Sequence, residues 1–208
     1  RRIPGSAAAS RPPQPAGAVV LRLDPGFSNF GWAAVRLLPD GGEQVIDLGC
    51  LRTERGKSKG LVRDDDRRRA AELARGLLAV ARRFEPAVLS AEALSHVNPR
   101  ESRMPIATTV KVGRAWGEVD MLTELLEPAL VQVAPQSIKK VLCGSASASK
   151  ADVQRALERR YPELAALLMP IPASLREHPV DAVGAVTATL HTNELRLARR
   201  YGRDVADA

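Results

Sequence analysis

Three short apolar runs joined by tight turns, followed by alternating helical and strand-like segments, restrict this chain to a mixed sheet with helices against it. The first run, Ala18–Asp24 (AVVLRLD), stops at Pro25-Gly26, the pattern of a buried strand ended by a turn. Phe30–Leu38 and Gln44–Leu51 are two more strand candidates, separated by the turn former Pro39-Asp40-Gly41-Gly42. The texture then changes. Between Arg63 and Phe84, apolar Ala70, Leu73, Leu77, Val80, Ala81 and Phe84 recur at three- and four-residue steps with charges between them, and Pro86 ends this helix. A fourth strand is expected at Ala87–Glu92, a helix over Pro105–Leu126 and a fifth strand at Ala129–Ala134. Helical stretches follow at Pro135–Leu142, Lys150–Arg160 and Val180–Arg200.

Hairpin-linked strands followed by helix–strand alternation call for an α/β fold. The expectation is a ribonuclease-H-like, mixed five-stranded sheet with helices on both faces. Residues 1–17 (RRIPGSAAASRPPQPAG) carry no acid and too little apolar material to offset their ordering entropy, so they read as a disordered tail. Residues 18–200 form one domain and 201–208 a flexible C-terminus. The arginine- and serine-containing tail also suits an organellar transit segment. The expected location is therefore organellar if it is one, and otherwise cytoplasmic and nucleoid-associated in a bacterium or phage.

Lys and Arg number 31 against 24 Asp and Glu, a net charge of +7, and this excess suits a polyanionic partner. Aromatic residues are only 3%, which argues against gripping single strands by rows of stacked rings. Two distant cysteines, Cys50 and Cys143, exclude a disulfide framework and a zinc ribbon. No run of about 18 apolar residues is present, so no membrane partner is expected.

Acidic residues close two of the apolar runs: Asp24 the first and Glu92 the fourth. Strand ends are where α/β sheets assemble sites, and two carboxylates side by side repel unless a cation neutralises them. The pair points to a hard-metal site. Taken singly, Asp24 is also a good turn former before Pro25-Gly26, and Glu92 an ordinary exposed strand end. His178 and Asp181 stand three apart beside Pro179, on one face of a helix start.

The strings LDPGFSNFGWAAV, AVLSAE, APQSIKKVLCGSASASKADVQ and HPVDAVGAV, in this order, resemble the RuvC family of Holliday junction resolvases over roughly Ala18 to Leu190. By motif, Asp24 matches the family's first-strand aspartate and Glu92 its fourth-strand glutamate. Asp181 matches the last aspartate of its D-x-x-D, and His178 stands where that motif usually begins with aspartate. Lys150 and Lys139 match lysines flanking the Gly-rich linker, which implies that Lys150 approaches the scissile phosphate and Lys139 the neighbouring backbone. The resemblance further implies two Mg²⁺ ions per site, with Mn²⁺ as a substitute, held by Asp24, Glu92, His178 and Asp181 roughly 3.5–4 Å apart.

It also implies paired, symmetric nicking of a four-way junction, leaving 5′-phosphate and 3′-hydroxyl ends. A homodimer is expected, because two equivalent strands need two sites, and branch-migration proteins are candidate partners. The dimer seam is expected on the second long helix, through Ile106, Val110, Gly113, Gly117 and Leu122. Phosphate contacts are assigned to Arg63, Arg67, Arg68, Arg69, Arg100, Arg103 and Arg114. Where the family often carries an aromatic wedge after its glutamate, this chain reads Ala93, Leu94, Ser95 and His96. Junction opening would then fall to His96, Asn98 or Arg100, or the substrate is a different branched DNA. A same-fold nuclease for flaps or transposon ends and a catalytically weak junction-binding protein are the alternatives. An actin-like ATPase would need a second lobe and phosphate loop, for which 208 residues without a repeat leave no room.

Overall fold

The computed structural model describes residues 17–56, 61–93 and 105–192. The tail at 1–16, the segment 94–104 with Arg100 and Arg103, and residues 193–208 lie outside the described residues. Five strands, β1 (Val19–Asp24), β2 (Asn29–Leu37), β3 (Glu43–Arg52), β4 (Val88–Glu92) and β5 (Ala129–Val133), form one sheet in the order β3-β2-β1-β4-β5. β1, β2 and β3 are antiparallel, whereas β4 and β5 run parallel to β1. The parallel pairs follow crossovers through α1 (Val62–Phe84) and α2 (Ile106–Leu126).

Helices cover both faces, as the alternation predicts. On one face Leu73, Leu77, Ala81 and Phe84 of α1 and Ala115, Trp116, Val119 and Leu122 of α2 bury Leu21, Leu23, Phe30, Leu89 and Ala91. Phe27 joins this core. The other face is covered by α4 (Lys150–Arg160), the short α5 (Leu164–Leu168) and α6 (Glu177–Leu190), with α3 (Pro135–Cys143) packed on α6. α6 is buried from Pro179 to Leu190 apart from a half-exposed Asp181. Its small residues Ala182, Gly184, Ala185 and Ala188 let the helix lie close on the sheet.

Gly31 shows how close that approach is. A Cβ there would stand 2.6 Å from the carbonyl oxygen of His178, so the first turn of α6 rests on a bare stretch of β2. Gly26 is equally constrained, with the carbonyl oxygen of Asn29 2.1 Å from where its Cβ would be. These are the two glycines of the DPG-x(4)-G string, one closing the turn after Asp24 and the other seating α6.

Several expectations are corrected. The last helix starts at Glu177 and ends at Leu190, with His191 as its C-cap, instead of running from Val180 to Arg200. α5 and a 3₁₀ turn at Ala173–Leu175 add to the expected elements, because segments this short carry no periodicity. Leu122 faces its own core and cannot join a dimer seam, while Ile106 and Val110 are exposed and Gly113 and Gly117 border open space. Arg69 is buried, donating to Thr53 and Ser28, and Arg68 is engaged by Asp65, Glu72 and the Glu54 carbonyl. Arg69 is thereby drawn into the start of α1, while Arg68 stays exposed beside its partners. Cys50 and Cys143 are free thiols.

Gly31→Ala is expected to push α6 off β2 and to cost about 1–3 kcal/mol of stability. Urea unfolding at neutral pH measures this, and a cost under about 0.5 kcal/mol would contradict the contact.

Candidate active site

β1 and β4 pair in parallel with Leu23 opposite Ala91, so one residue further on Asp24 stands beside Glu92. Strand alternation puts both on the α6 face, together with Arg22 and Ser90 two residues earlier. α6 brings its first turn across this edge. Its His178 places Nδ1 3.3 Å from Oδ2 of Asp24, and Asp181 follows one turn later. The register explains the contact, because Gly31 is the cross-strand partner of Asp24 and His178 lies on Gly31.

A cleft of about 870 Å³ opens here. Asp24, Glu92 and Asp181 line it, with Lys139 and Lys150 on its walls and Ile138, Leu168 and Val180 as apolar lining. Lys150 begins α4, whose N-cap Ser149 forms a reciprocal capping box with Asp152, and it is ion-paired with Glu177. His178 touches Asp24 but is not among the residues lining the cleft, whereas Glu177 is. Arg114 sits half-exposed on α2 and does not line it either.

The three carboxyls share one electrostatic condition. Burial pushes Asp24 up from the ordinary carboxylate range, with Glu177 adding to the shift, against the hydrogen bond from His178 and the charges of His178 and Arg22. Burial likewise raises Glu92, Arg22 opposing and Asp24 reinforcing. Asp181 is pushed up to about 6, first by burial, then by Asp24, Glu177 and Glu92, with Lys150 opposing. At the mouth, the Glu177 contact raises Lys150 and lowers Glu177 itself.

Beneath the carboxyls lies a feature that sequence reading missed. Arg22 is 1% exposed and donates from Nη1 to the Ser90 hydroxyl at 2.8 Å; Ser90 in turn contacts the Thr189 hydroxyl of α6. One guanidinium thus ties together the three elements that carry Asp24, Glu92 and Asp181. Burial pulls its pKa down to about 9, against the attraction of Glu92 and Asp24, so it stays charged at neutral pH. Its Nε has no hydrogen-bond partner among the described residues. The signal was present in the sequence, since Arg22 interrupts an apolar strand two residues before Asp24 and on the same face.

The donor chemistry fits a hard divalent cation: oxygen ligands, mutually destabilised, facing a cleft. Among the described residues no three His, Cys, Asp or Glu side chains are gathered closely enough to hold an ion as they stand.

Comparison with known proteins bears on this site. The family model for crossover junction endodeoxyribonuclease RuvC matches residues 20–187. The chain belongs to the RuvC family. Its members are endodeoxyribonucleases, and divalent-metal dependence is their usual property. The RuvC of Synechococcus sp. (strain CC9311) is 28% identical over 145 residues, covering 67% of this chain and 82% of that one. The RuvC of Shewanella baltica (strain OS155) is 23% identical over 194 residues, covering 89% and 98%. Among solved structures, T. thermophilus RuvC in complex with Holliday junction substrate superposes with a TM-score of 0.60 at 18% identity, covering 82% of this chain and 91% of that one. The yeast mitochondrial Holliday junction resolvase Ydc2 gives 0.58 at 14% identity, covering 93% and 87%. Both structures share the fold, which establishes the ribonuclease-H-like class.

The Asp181 shift has a defined sign. Its folded-state pKa of about 6 lies above the ordinary 3.8, so the fold favours the neutral acid. That contribution is present below about pH 4 and is lost as pH rises through about 6. In EDTA at pH 7.5, Asp181→Asn should be more stable than wild type by about 1–2 kcal/mol after solvent screening. The difference should vanish below about pH 4. Urea melts at the two pH values measure it, and no gain at pH 7.5 would contradict the shift.

Proposed function

We propose that this protein resolves four-way DNA junctions by metal-dependent phosphodiester hydrolysis, nicking two strands symmetrically to leave 5′-phosphates and 3′-hydroxyls. The observation that carries this reading is the placement of Asp24 beside Glu92 at the ends of parallel β1 and β4, with Asp181 in the same cleft. Asp24, Glu92 and Asp181 would hold the ion, and His178 would contribute through its contact with Asp24, as a ligand or by fixing that carboxylate. The proposed ion is Mg²⁺, two per site, replaceable by Mn²⁺. Bound there, it would supply Lewis-acid stabilisation of the phosphoryl oxygens and acidify a water.

The chain's own residues do the rest. Lys150, exposed at the mouth and paired with Glu177, is placed to transfer its charge to a phosphate entering the cleft. Lys139 is placed to hold the adjoining backbone. Arg22 supplies a fixed positive charge beneath the carboxyls. Paired nicks require paired sites, and the free face of α2 (Ile106, Val110, Gly113 and Gly117) offers an exposed apolar and small-residue surface for a two-fold dimer.

The test is cleavage of a synthetic four-way junction beside a flap and a linear duplex, in Mg²⁺ and in EDTA, with the mass of the complex followed by light scattering. Wild type should cut the junction selectively, as a dimer and only with metal. Asp24→Asn should lose at least about 10³-fold in rate while still binding the junction. Cleavage in EDTA, equal cutting of the linear duplex or full activity of Asp24→Asn would overturn the proposal.

A further inference from the structure

A second depression, of about 520 Å³, lies beside the carboxylate cleft. The two share a wall. Ala173 of the 3₁₀ turn lines the cleft, while the next residues, Ser174 and Leu175, line the second depression. The β1–β2 turn leads from one to the other as well, with Asp24 in the cleft and Ser28 and Asn29 in the depression.

The charges of the two differ in sign. Arg52, Arg55, Arg69 and Lys111 line the second depression, against a single carboxylate, Glu54, which Arg52 already engages at 3.0 Å. Its floor is built before any ligand arrives. Arg69 is 2% exposed and donates to the Ser28 hydroxyl at 2.8 Å and to the Thr53 hydroxyl at 3.1 Å. Thr53 donates its amide to the Ser28 carbonyl and its hydroxyl to the Phe27 carbonyl, so the end of β3 is fastened to the turn that follows Asp24. Over this floor Arg55 stands exposed at the end of β3, and Lys111 reaches in from α2. No aromatic side chain lines the depression, so it offers charge and hydrogen-bond donors and no stacking platform.

We propose that this depression is a second phosphate-binding subsite, which holds backbone phosphates of the same DNA strand beside the phosphate lying over the carboxylates. The assignment rests on the DNA-cleaving function proposed above and extends it to a place on the surface. A strand whose scissile phosphate must sit among carboxylates is repelled there, and cations just across a ridge hold the same strand by its neighbouring phosphates. Contacts of this kind position a strand without reading its sequence. The ligand class is therefore the phosphodiester backbone, whatever the bases.

The test uses the full chain and a fluorescently labelled four-way junction, with affinity measured by anisotropy over a salt series in Ca²⁺. Arg55→Ala/Lys111→Ala should lower the slope of log affinity against log salt by about 2, since each lost phosphate contact removes about 0.9. The loss should be the same for junctions of different sequence. The charge-preserving Arg55→Lys/Lys111→Arg should keep the wild-type slope. Arg82→Ala, in the last turn of α1 and so at the opposite end of the sheet, should keep it too. Thermal melting checks that each variant is folded, which the exposure of Arg55 favours. A wild-type slope in the double alanine variant overturns the subsite and leaves the functional reading intact. Wild type that fails to bind the junction overturns both.

Discussion

β1 and β4 run parallel, so their last residues finish level with one another and Asp24 and Glu92 emerge on the same face of the sheet. Everything else in the site is placed relative to that pair. α6 reaches it because Gly31, opposite Asp24, has no side chain to hold the helix away. α4 reaches it because its capped first turn delivers Lys150 to the same opening. The crossover through α1 makes β4 parallel to β1, and α1 and α2 form the core on the far face. The site thus depends on the topology of the whole sheet and not on one local motif.

Bringing acids together in a partly dry cleft is unfavourable, and the chain offsets this in two ways. Arg22 is sealed beneath the carboxyls and joined through Ser90 and Thr189 to all three elements that carry them. Lys150 and Glu177 form an ion pair at the rim, where water screens it and it can be exchanged for a phosphate contact. The interior cation fixes geometry, and the rim cation faces the opening of the cleft. What remains uncompensated still raises Asp24, Glu92 and Asp181, which is the electrostatic condition a divalent ion relieves. Outside the cleft, the basic depression across the 3₁₀ turn reverses the sign of the field within a few residues of chain.

Much of this was legible in the sequence. The strand ends at Asp24 and Glu92, the helix boundaries near Phe84, Leu126 and Arg160, and the nearness of His178 and Asp181 to a helix start follow from apolar periodicity and from Pro and Gly punctuation. What stayed hidden depends on three-dimensional neighbours. Arg22 reads as one polar interruption until Ser90 and Thr189 are known to flank it. Glu177 draws no notice in the sequence, because only the fold brings Lys150 beside it from 27 residues away. Arg68 and Arg69 look like members of a basic stripe, yet helix geometry turns Arg69 inward, onto Ser28 and Thr53. The same geometry turns Leu122 into the core while leaving Ile106 and Val110 outside. His178 occupies the position its motif assigns, but it meets Asp24 from the β2 side and not through the cleft.

The central claim is that β1, β4 and α6 converge to make one divalent-metal site. Anomalous diffraction from crystals of the protein grown in Mn²⁺ tests it without reference to DNA or activity. The predicted result is an anomalous peak bounded by the carboxylates of Asp24, Glu92 and Asp181, absent from crystals of Asp24→Asn grown in the same way. Manganese bound only elsewhere on the molecule, or an undiminished peak in Asp24→Asn, would contradict it.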